Sequence, residues 1–367
     1  MRRRRRLSSV LLPVGMACVL FGAVACGSSD SGGGGGATAN AKDTSLDSKT
    51  TQELAAQAAQ EGSLTWYTTF ADDDVQPMVA AFNKTYPNVK VNALRLSADK
   101  IPQRILTEQR GGKHNADVVS GDSPQVAQLL QAGALQPYTP KDLAPLPPGL
   151  DLPEGYEGVI YVVTTAVGYN PTLVKQKGLP VPKSWEDLTK PAWKGQFSID
   201  PGAVNWYDSL IQSMGHDKAL DLLKRLGANS PVFVESHTQA ITQVQAGEPI
   251  AAATIYGYKA SSLKEKTPES VEFVNSNPLP SSLTLVDVVK DAPHPAAARL
   301  FVDWLVSKEG QTAVVDITNH TSIRPDVKND PTVWDEKKWP PAWGKPNLPA
   351  EEYNTEVAEM KSALHAP

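Results

Sequence analysis

Apolar and polar residues alternate first at Leu64 to Tyr67, where Leu64 and Trp66 face one way and Thr65 and Tyr67 the other. A period of two predicts a strand. Val75, Met78, Val79, Phe82 and Tyr86 then recur at helical spacing, and Asp72, Asp73 and Asp74 lie where a helix dipole favours carboxylates. "NVKVNAL" alternates as a second strand, 100–110 reads as a helix, and "ADVVSGD" reads as a buried strand. "SPQVAQLLQAG" follows as a helix with Pro124 at its first position. Strand and helix taking turns predict an α/β fold with a largely parallel sheet. After a long β-rich stretch, "EGVIYVVTTAVGYNP", and a turn-rich one, helices are expected at 205–215, 217–227 and 238–246, then a strand in "PIAAATIY". Ala297, Leu300, Phe301, Trp304 and Leu305 mark a further helix; 331–349 is Trp/Pro-rich and irregular, and a last helix spans 350–364.

The N-terminus bears on the compartment. "MRRRRRLSSVLLPVGMACVLFGAVAC" is a basic region, an apolar run and small residues before Cys26, the pattern of a secretory signal rather than a spanning helix. "AVAC" resembles the bacterial lipoprotein cleavage box, with Ala25 before the cut, Cys26 as the lipidated residue and Ala23 where Leu is usual. Plain secretion with cleavage near Ala25 is the other reading, and the arginine run also suits the twin-arginine route. "CGSSDSGGGGG" suits a flexible tether, expected over 27–61, with order beginning at "GSLTWYTTF". Of two cysteines, Cys18 lies in the signal and Cys26 would carry lipid, so disulfides, thiolate metal sites and Cys nucleophiles are excluded from the mature domain. A formal charge of −5 with no basic stripe argues against nucleic acid. The chain has no P-loop, so energy for any transport must come from a partner. About 320 residues follow Asp43, more than one typical core.

Three segments carry a resemblance: "GSLTWYTTF…VQPMVAAFNKTYPNVKV", "VGYNPTLVKQKGLPVPKSWEDLTKPAWKGQFSIDP" and "KDAPHPAAARLFVDWLVSKEGQ". They resemble the solute-binding proteins of bacterial ABC importers, above all the branch that includes the ferric-iron-binding proteins. The resemblance runs from about 62 to 330 and is most specific in "PKSWEDL", Lys194-Gly195 and 294–311. It implies a two-lobed, type II periplasmic-binding-protein-like fold. Lobe 1 is then 62–158 plus 282–312 and lobe 2 is 162–278 plus 318–364, with crossings in 157–166 and 281–289 and the Trp-rich tail on lobe 2. It also implies a monomer without cofactor that serves a permease and its ATPase. Such a protein would be lipid-anchored on the extracellular face of the cell membrane. Hinge closure would bury the ligand between the lobes.

Four strand-to-helix junctions should face that cleft: Thr68-Thr69-Phe70, Ser120-Gly121-Asp122-Ser123, 201–205 ending at Asn205, and Glu235-Ser236-His237-Thr238. Helix N-termini with hydroxyls suit anions, although the same residues also serve as ordinary caps. Tyr256 and Tyr258, at i and i+2, would share one side of a strand end. Ferric-binding relatives keep such a pair adjacent; here Gly257 intervenes. Fe³⁺ is hard and favours anionic oxygen, and Tyr67, Tyr161 or Tyr207 could supply a third phenolate. The residues after the first strand, Thr69-Phe70-Ala71, lack the His that some relatives place there. In the alternative reading, Trp206, Tyr207 and Phe70 wall an organic solute, with Lys259 and helix N-termini holding a phosphonate, phosphate ester or carboxylate. His237 is a ligand candidate or a polar surface residue, while His114, His216 and His320 read as ordinary. A third class is hydrolysis: "SGDSP" and "DAPHP" resemble blocks of one esterase family, with Ser123, His294 and Asp291 as nucleophile, base and orienter. Against it, the Ser block does not lie on the first strand and no Gly-x-Asn-Asp block is present.

Overall fold

The computed structural model describes residues 44–367, so the expected signal and Cys26 lie outside the described residues. The chain begins with α1 (Thr44–Asp47), α2 (Thr51–Glu61), β1 (Ser63–Thr68), α3 (Asp72–Thr85), β2 (Lys90–Arg95), α4 (Lys100–Arg110), β3 (Val118–Asp122), α5 (Ser123–Gln131) and β4 (Leu135–Gln136). β5 (Val159–Tyr169) leads to α6 (Pro171–Gln176), α7 (Trp185–Leu188), β6 (Phe197–Ile199), α8 (Val204–Met214), α9 (His216–Ala228), β7 (Val232–Phe233), α10 (His237–Ala246), β8 (Ala251–Tyr256), α11 (Gly257–Lys266) and β9 (Glu272–Val274). β10 (Leu279–Val289), α12 (Pro295–Val306), α13 (Lys308–Thr318), β11 (Pro341–Trp343) and α14 (Ala350–Leu364) complete it.

Pairing divides these elements between two sheets. The first runs β2-β1-β3-β10-β5, with β1 parallel to β2 and β3, and β10 antiparallel to β3 and β5. The second runs β5-β8-β6-β7, with β9 also on β5. β5 belongs to both: Thr164 pairs with Ser281 of β10, and the next residue, Thr165, pairs with Tyr256 of β8. Every residue of β5 is buried, as expected for a strand covered on both faces. A bridge between Val162 and Thr321 brings the chain back against β5 after α13.

Each sheet is buried on both faces. Trp66, Phe82 and Phe301 centre a cluster with α2, α3 and α12 on one side of the first sheet, and Ile105, Leu129 and Leu283 centre another. Trp193, Trp206 and Phe197 centre the main cluster of the second sheet, where α14 packs on α8 and α9 through Met360 and Leu364. Two expectations need correction. The tether does not extend to 61, because α2 is a folded helix. Its capping box is complete, with Glu53 N donating to Thr50 Oγ1 at 3.3 Å and Thr50 N donating to Glu53 Oε2 at 2.7 Å. Leu54 and Ala58 are fully buried against α12. The Glu61 carboxylate accepts from Ala296 N at 3.1 Å and Ala297 N at 2.7 Å, capping α12, whose own N-cap side chain makes no such bond. The alanine/glutamine composition hid this, since a two-residue apolar stripe is a weak periodic signal. The Trp-rich tail also does not pack wholly on lobe 2. β11 pairs with β10, and Trp334 and Trp343 join the cluster that contains Ile105 and Leu129.

Candidate functional site: a cavity between the two sheets

A cavity of about 410 Å³ opens where β3, β5, the end of β2 and the loop after β1 meet β8, α10 and α11 of the second sheet. Its polar lining includes Thr69, Arg95, Asp122, Tyr161, Glu235 and His320. Tyr256 and Tyr258 both face it. They do not sit as i and i+2 of one strand. β8 stops at Tyr256, and Tyr258 stands in the first turn of α11. The rings still stack, with centroids 5.8 Å apart and planes 22° apart. Gly257 makes the turn possible: a Cβ there would lie 2.5 Å from Thr164 Oγ1, so no side chain fits between α11 and β5.

The tyrosine pair belongs to a longer row. His237 stacks on Tyr256 at 4.3 Å, Tyr258 meets His320 at 3.8 Å, and His320 stacks on Tyr161 at 3.9 Å. Phe70 then meets Tyr161 edge-on at 5.4 Å. The row thus runs from α10 through β8 and α11, across the segment after α13, to β5 and the end of β1.

Burial sets the electrostatics. It pushes the phenols of Tyr161, Tyr256 and Tyr258 well above their ordinary range, and the charge of Asp122 adds to the effect on each. Burial raises the Asp122 carboxyl to about 6. Burial and then the nearby Lys259 ammonium lower His320 to about 3, and burial lowers His237 as well. Both imidazoles are therefore neutral at pH 7. Among the described residues no three His, Cys, Asp or Glu side chains are grouped to hold a metal ion. A metal here would have to draw on the phenols.

The sequence-predicted residues divide. Thr69, Asp122, Thr238, Tyr256 and Tyr258 line the cavity, and Tyr161 joins them from among the three candidate third phenols. His237 backs Tyr256, with its Nδ1 buried and no hydrogen-bond partner among the described residues. Thr68 is a structural residue: its hydroxyl accepts from Ser120 Oγ at 2.8 Å and Phe70 N at 3.1 Å. Phe70 is only 2 % exposed and packs into the core beneath the row. Ser123 and Asn205 meet elsewhere, around a crevice of about 10 Å³ that shares no residue with the cavity. Trp206 and Tyr207 are corrected outright. Both sit in the core of the second sheet, where Trp206 packs on Trp185 at 5.5 Å and Tyr207 donates to Glu359 at 2.6 Å. Helical spacing alone could not say which face of α8 was inward. Tyr67 is likewise excluded as a third phenolate, since its hydroxyl donates to Glu108 at 3.0 Å. His320 and Arg95 were missed. His320 had no local signal, because the crossing that places it joins residues far apart in sequence.

Ser123, His294 and Asp291 do not assemble into a hydrolytic triad. His294 Nδ1 lies 3.0 Å from Asp117 Oδ2, just before β3 begins, whereas Ser123 follows its end. Six residues of extended chain separate those points, roughly 20 Å at ~3.3 Å per residue. Asp291 is exposed in a turn with φ 56°. A second cavity of about 410 Å³ lies beside β11, lined by Trp343, Pro341 and Gln212, and contains none of the phenols.

Two sheets joined through the shared strand β5, with a polar cavity where they meet, form the two-lobed fold of periplasmic binding proteins. A family model described as bacterial extracellular solute-binding protein matches residues 77–341, and the chain belongs to that family. It is the solute-binding component of an ABC importer, acts outside the cytoplasm and hands its solute to a permease and ATPase. Proteins of this family carry a solute rather than a resident cofactor. Among relatives, the Fe(3+)-binding periplasmic protein of Serratia marcescens is 26% identical over 219 residues, 55% of this chain and 62% of that one. Iron-bound HitA from Pseudomonas aeruginosa superposes with a TM-score of 0.66 at 24% identity, covering 82% of this chain and 99% of HitA. AfuA from Actinobacillus pleuropneumoniae, with fructose-6-phosphate bound, gives 0.71 at 22% identity over 83% of this chain and 99% of AfuA. At these identities the two structures speak for the fold alone.

Proposed function

We propose that the protein captures ferric ion in the cavity between its lobes, with Tyr161, Tyr256 and Tyr258 supplying phenolate oxygen, and delivers it to the importer's permease. In this reading the protein works as a monomer, held to the outer face of the cell membrane through lipid on Cys26. The observation that carries the ferric assignment is the arrival of three phenols at one cavity from β5, β8 and α11. Anionic oxygen suits a hard trivalent ion, and so charged a metal displaces the proton of a phenol that is otherwise neutral. Asp122 adds a carboxylate beside them. The iron-binding relative supports the same choice.

A second reading keeps the fold and changes the solute to a phosphate ester or another small organic anion. Arg95 on the wall and the N-terminus of α10 favour it, and about 410 Å³ is more room than a bare ion needs. The fructose-6-phosphate found in AfuA lends it support. Adding ferric nitrilotriacetate to the purified protein and recording the visible spectrum separates the two. The ferric reading expects a phenolate-to-iron charge-transfer band that disappears in Tyr256→Phe/Tyr258→Phe. No band, together with thermal stabilisation by a sugar phosphate, refutes it in favour of the anion.

A further inference from the structure

The His320 ring is wedged between two phenols of the proposed site, with centroids 3.9 Å from Tyr161 and 3.8 Å from Tyr258. It is carried by the segment that follows α13, which the backbone bond from Val162 N to Thr321 O, 2.7 Å, fixes against β5. The position of its proton follows from its neighbours. Thr318 Oγ1 has a single proton and donates it to Val314 O at 2.6 Å. The same oxygen lies 3.2 Å from the backbone N of His320 and 2.7 Å from His320 Nδ1. With its proton used, that oxygen can only accept. The hydrogen between the two atoms therefore sits on Nδ1, and Nε2 keeps its lone pair. Nε2 has no hydrogen-bond partner among the described residues, and the ring lines the cavity. An imidazole with one N–H held by the protein and the other nitrogen bare is the arrangement of a metal-binding histidine.

We propose that His320 Nε2 is a nitrogen donor to the bound ferric ion, alongside the flanking phenolates of Tyr161 and Tyr258. The inference rests on the ferric reading above. It gives the segment after α13 a role in capture. The ion would then be held from β5, from that segment and from α11 together, which ties the two lobes through their solute.

The test uses the wild-type protein and His320→Phe, which keeps a flat ring between the phenols but removes the donor. Ferric affinity is measured by competition with citrate, with the visible band followed in parallel. In the wild type, ¹⁵N-histidine NMR is recorded with and without Ga³⁺, a diamagnetic stand-in. We expect the Nδ1–H tautomer in the metal-free protein and a Ga³⁺-induced shift of the His320 Nε2 resonance. His320→Phe should lose ferric affinity by at least about tenfold and move the band, while its metal-free thermal midpoint stays close to wild type. Equal affinity and an unchanged band in His320→Phe, or an Nε2 resonance that Ga³⁺ leaves in place, would overturn the assignment and leave His320 a spacer between rings. Should His320→Phe fail to fold, the gallium experiment on wild type decides alone. A wild type that gives no band overturns the ferric reading itself and this inference with it.

Discussion

A ferric ion held by phenolates must displace protons, and the number displaced counts its tyrosine ligands. In the metal-free protein burial holds Tyr161, Tyr256 and Tyr258 well above the ordinary phenol range, so all three are protonated throughout neutral pH. The bound form carries fewer protons than the free form, so affinity must rise with pH. Each proton released contributes a factor of ten, about 1.4 kcal/mol, per pH unit. Three phenolates therefore predict roughly a thousandfold, about 4 kcal/mol, for each unit between about pH 7 and 8. Asp122, raised to about 6, contributes further only as pH falls through that value. The assay is competition against nitrilotriacetate at several pH values, corrected for the chelator's own protonation, with proton release followed in unbuffered solution. Tyr161→Phe should lower the slope of log affinity against pH by about one. A wild-type slope near zero would refute phenolate ligation, whatever the affinity.

Three further outcomes test the fold around the site. Gly257→Ala brings a Cβ to 2.5 Å from Thr164 Oγ1 and 3.3 Å from Val333 Cγ1; it should cost about 1–3 kcal/mol in urea unfolding, and wild-type stability would show that α11 can move off β5. Leu54→Ala removes a side chain that is 0 % exposed between α2 and α12; a loss of about 2–5 kcal/mol is expected, and an unchanged midpoint would return that segment to the tether. Asp287 on β10 is pushed up to about 7 by burial. The folded protein holds its proton where the unfolded chain has lost it, so stability falls as pH rises from about 4 to about 7, by as much as ~4 kcal/mol. Asp287→Asn should match wild type at pH 4 and exceed it at pH 8; parallel curves for the two would count against this account.

Local pattern carried much of the architecture. The alternation in "GSLTWYTT" and the helical spacing from Val75 to Phe82 describe elements that need only one apolar face, and β1 and α3 occupy those positions. The β-rich "VIYVVTTAV", apolar but for Thr164 and Thr165, reads as a strand, and the structure buries it on both sides, the property that lets β5 serve two sheets. Tyr256 could be singled out because a strand end in an α/β fold opens on a crevice. Aromatic residues on helices were less legible. Trp206 and Tyr207 have the composition of a ligand wall, yet α14, from the far end of the chain, covers them. α2 escaped because its apolar stripe is narrow, and its stability comes from α12 and from Glu61, which caps that helix.

The sequence by itself determined much of the run of strands and helices, the lack of any cysteine after Cys26 and a short set of polar strand ends. Each depends on residue type or on spacing within one element. Tertiary structure decided which of those polar groups share a cavity. Tyr161, Tyr256 and His320 are brought together by β5 passing between two sheets and by the chain's return along it. Tyr258 reaches the same row because a helix starts where a strand was expected. Contacts between distant segments depend on the crossings of the fold, and no local period encodes them.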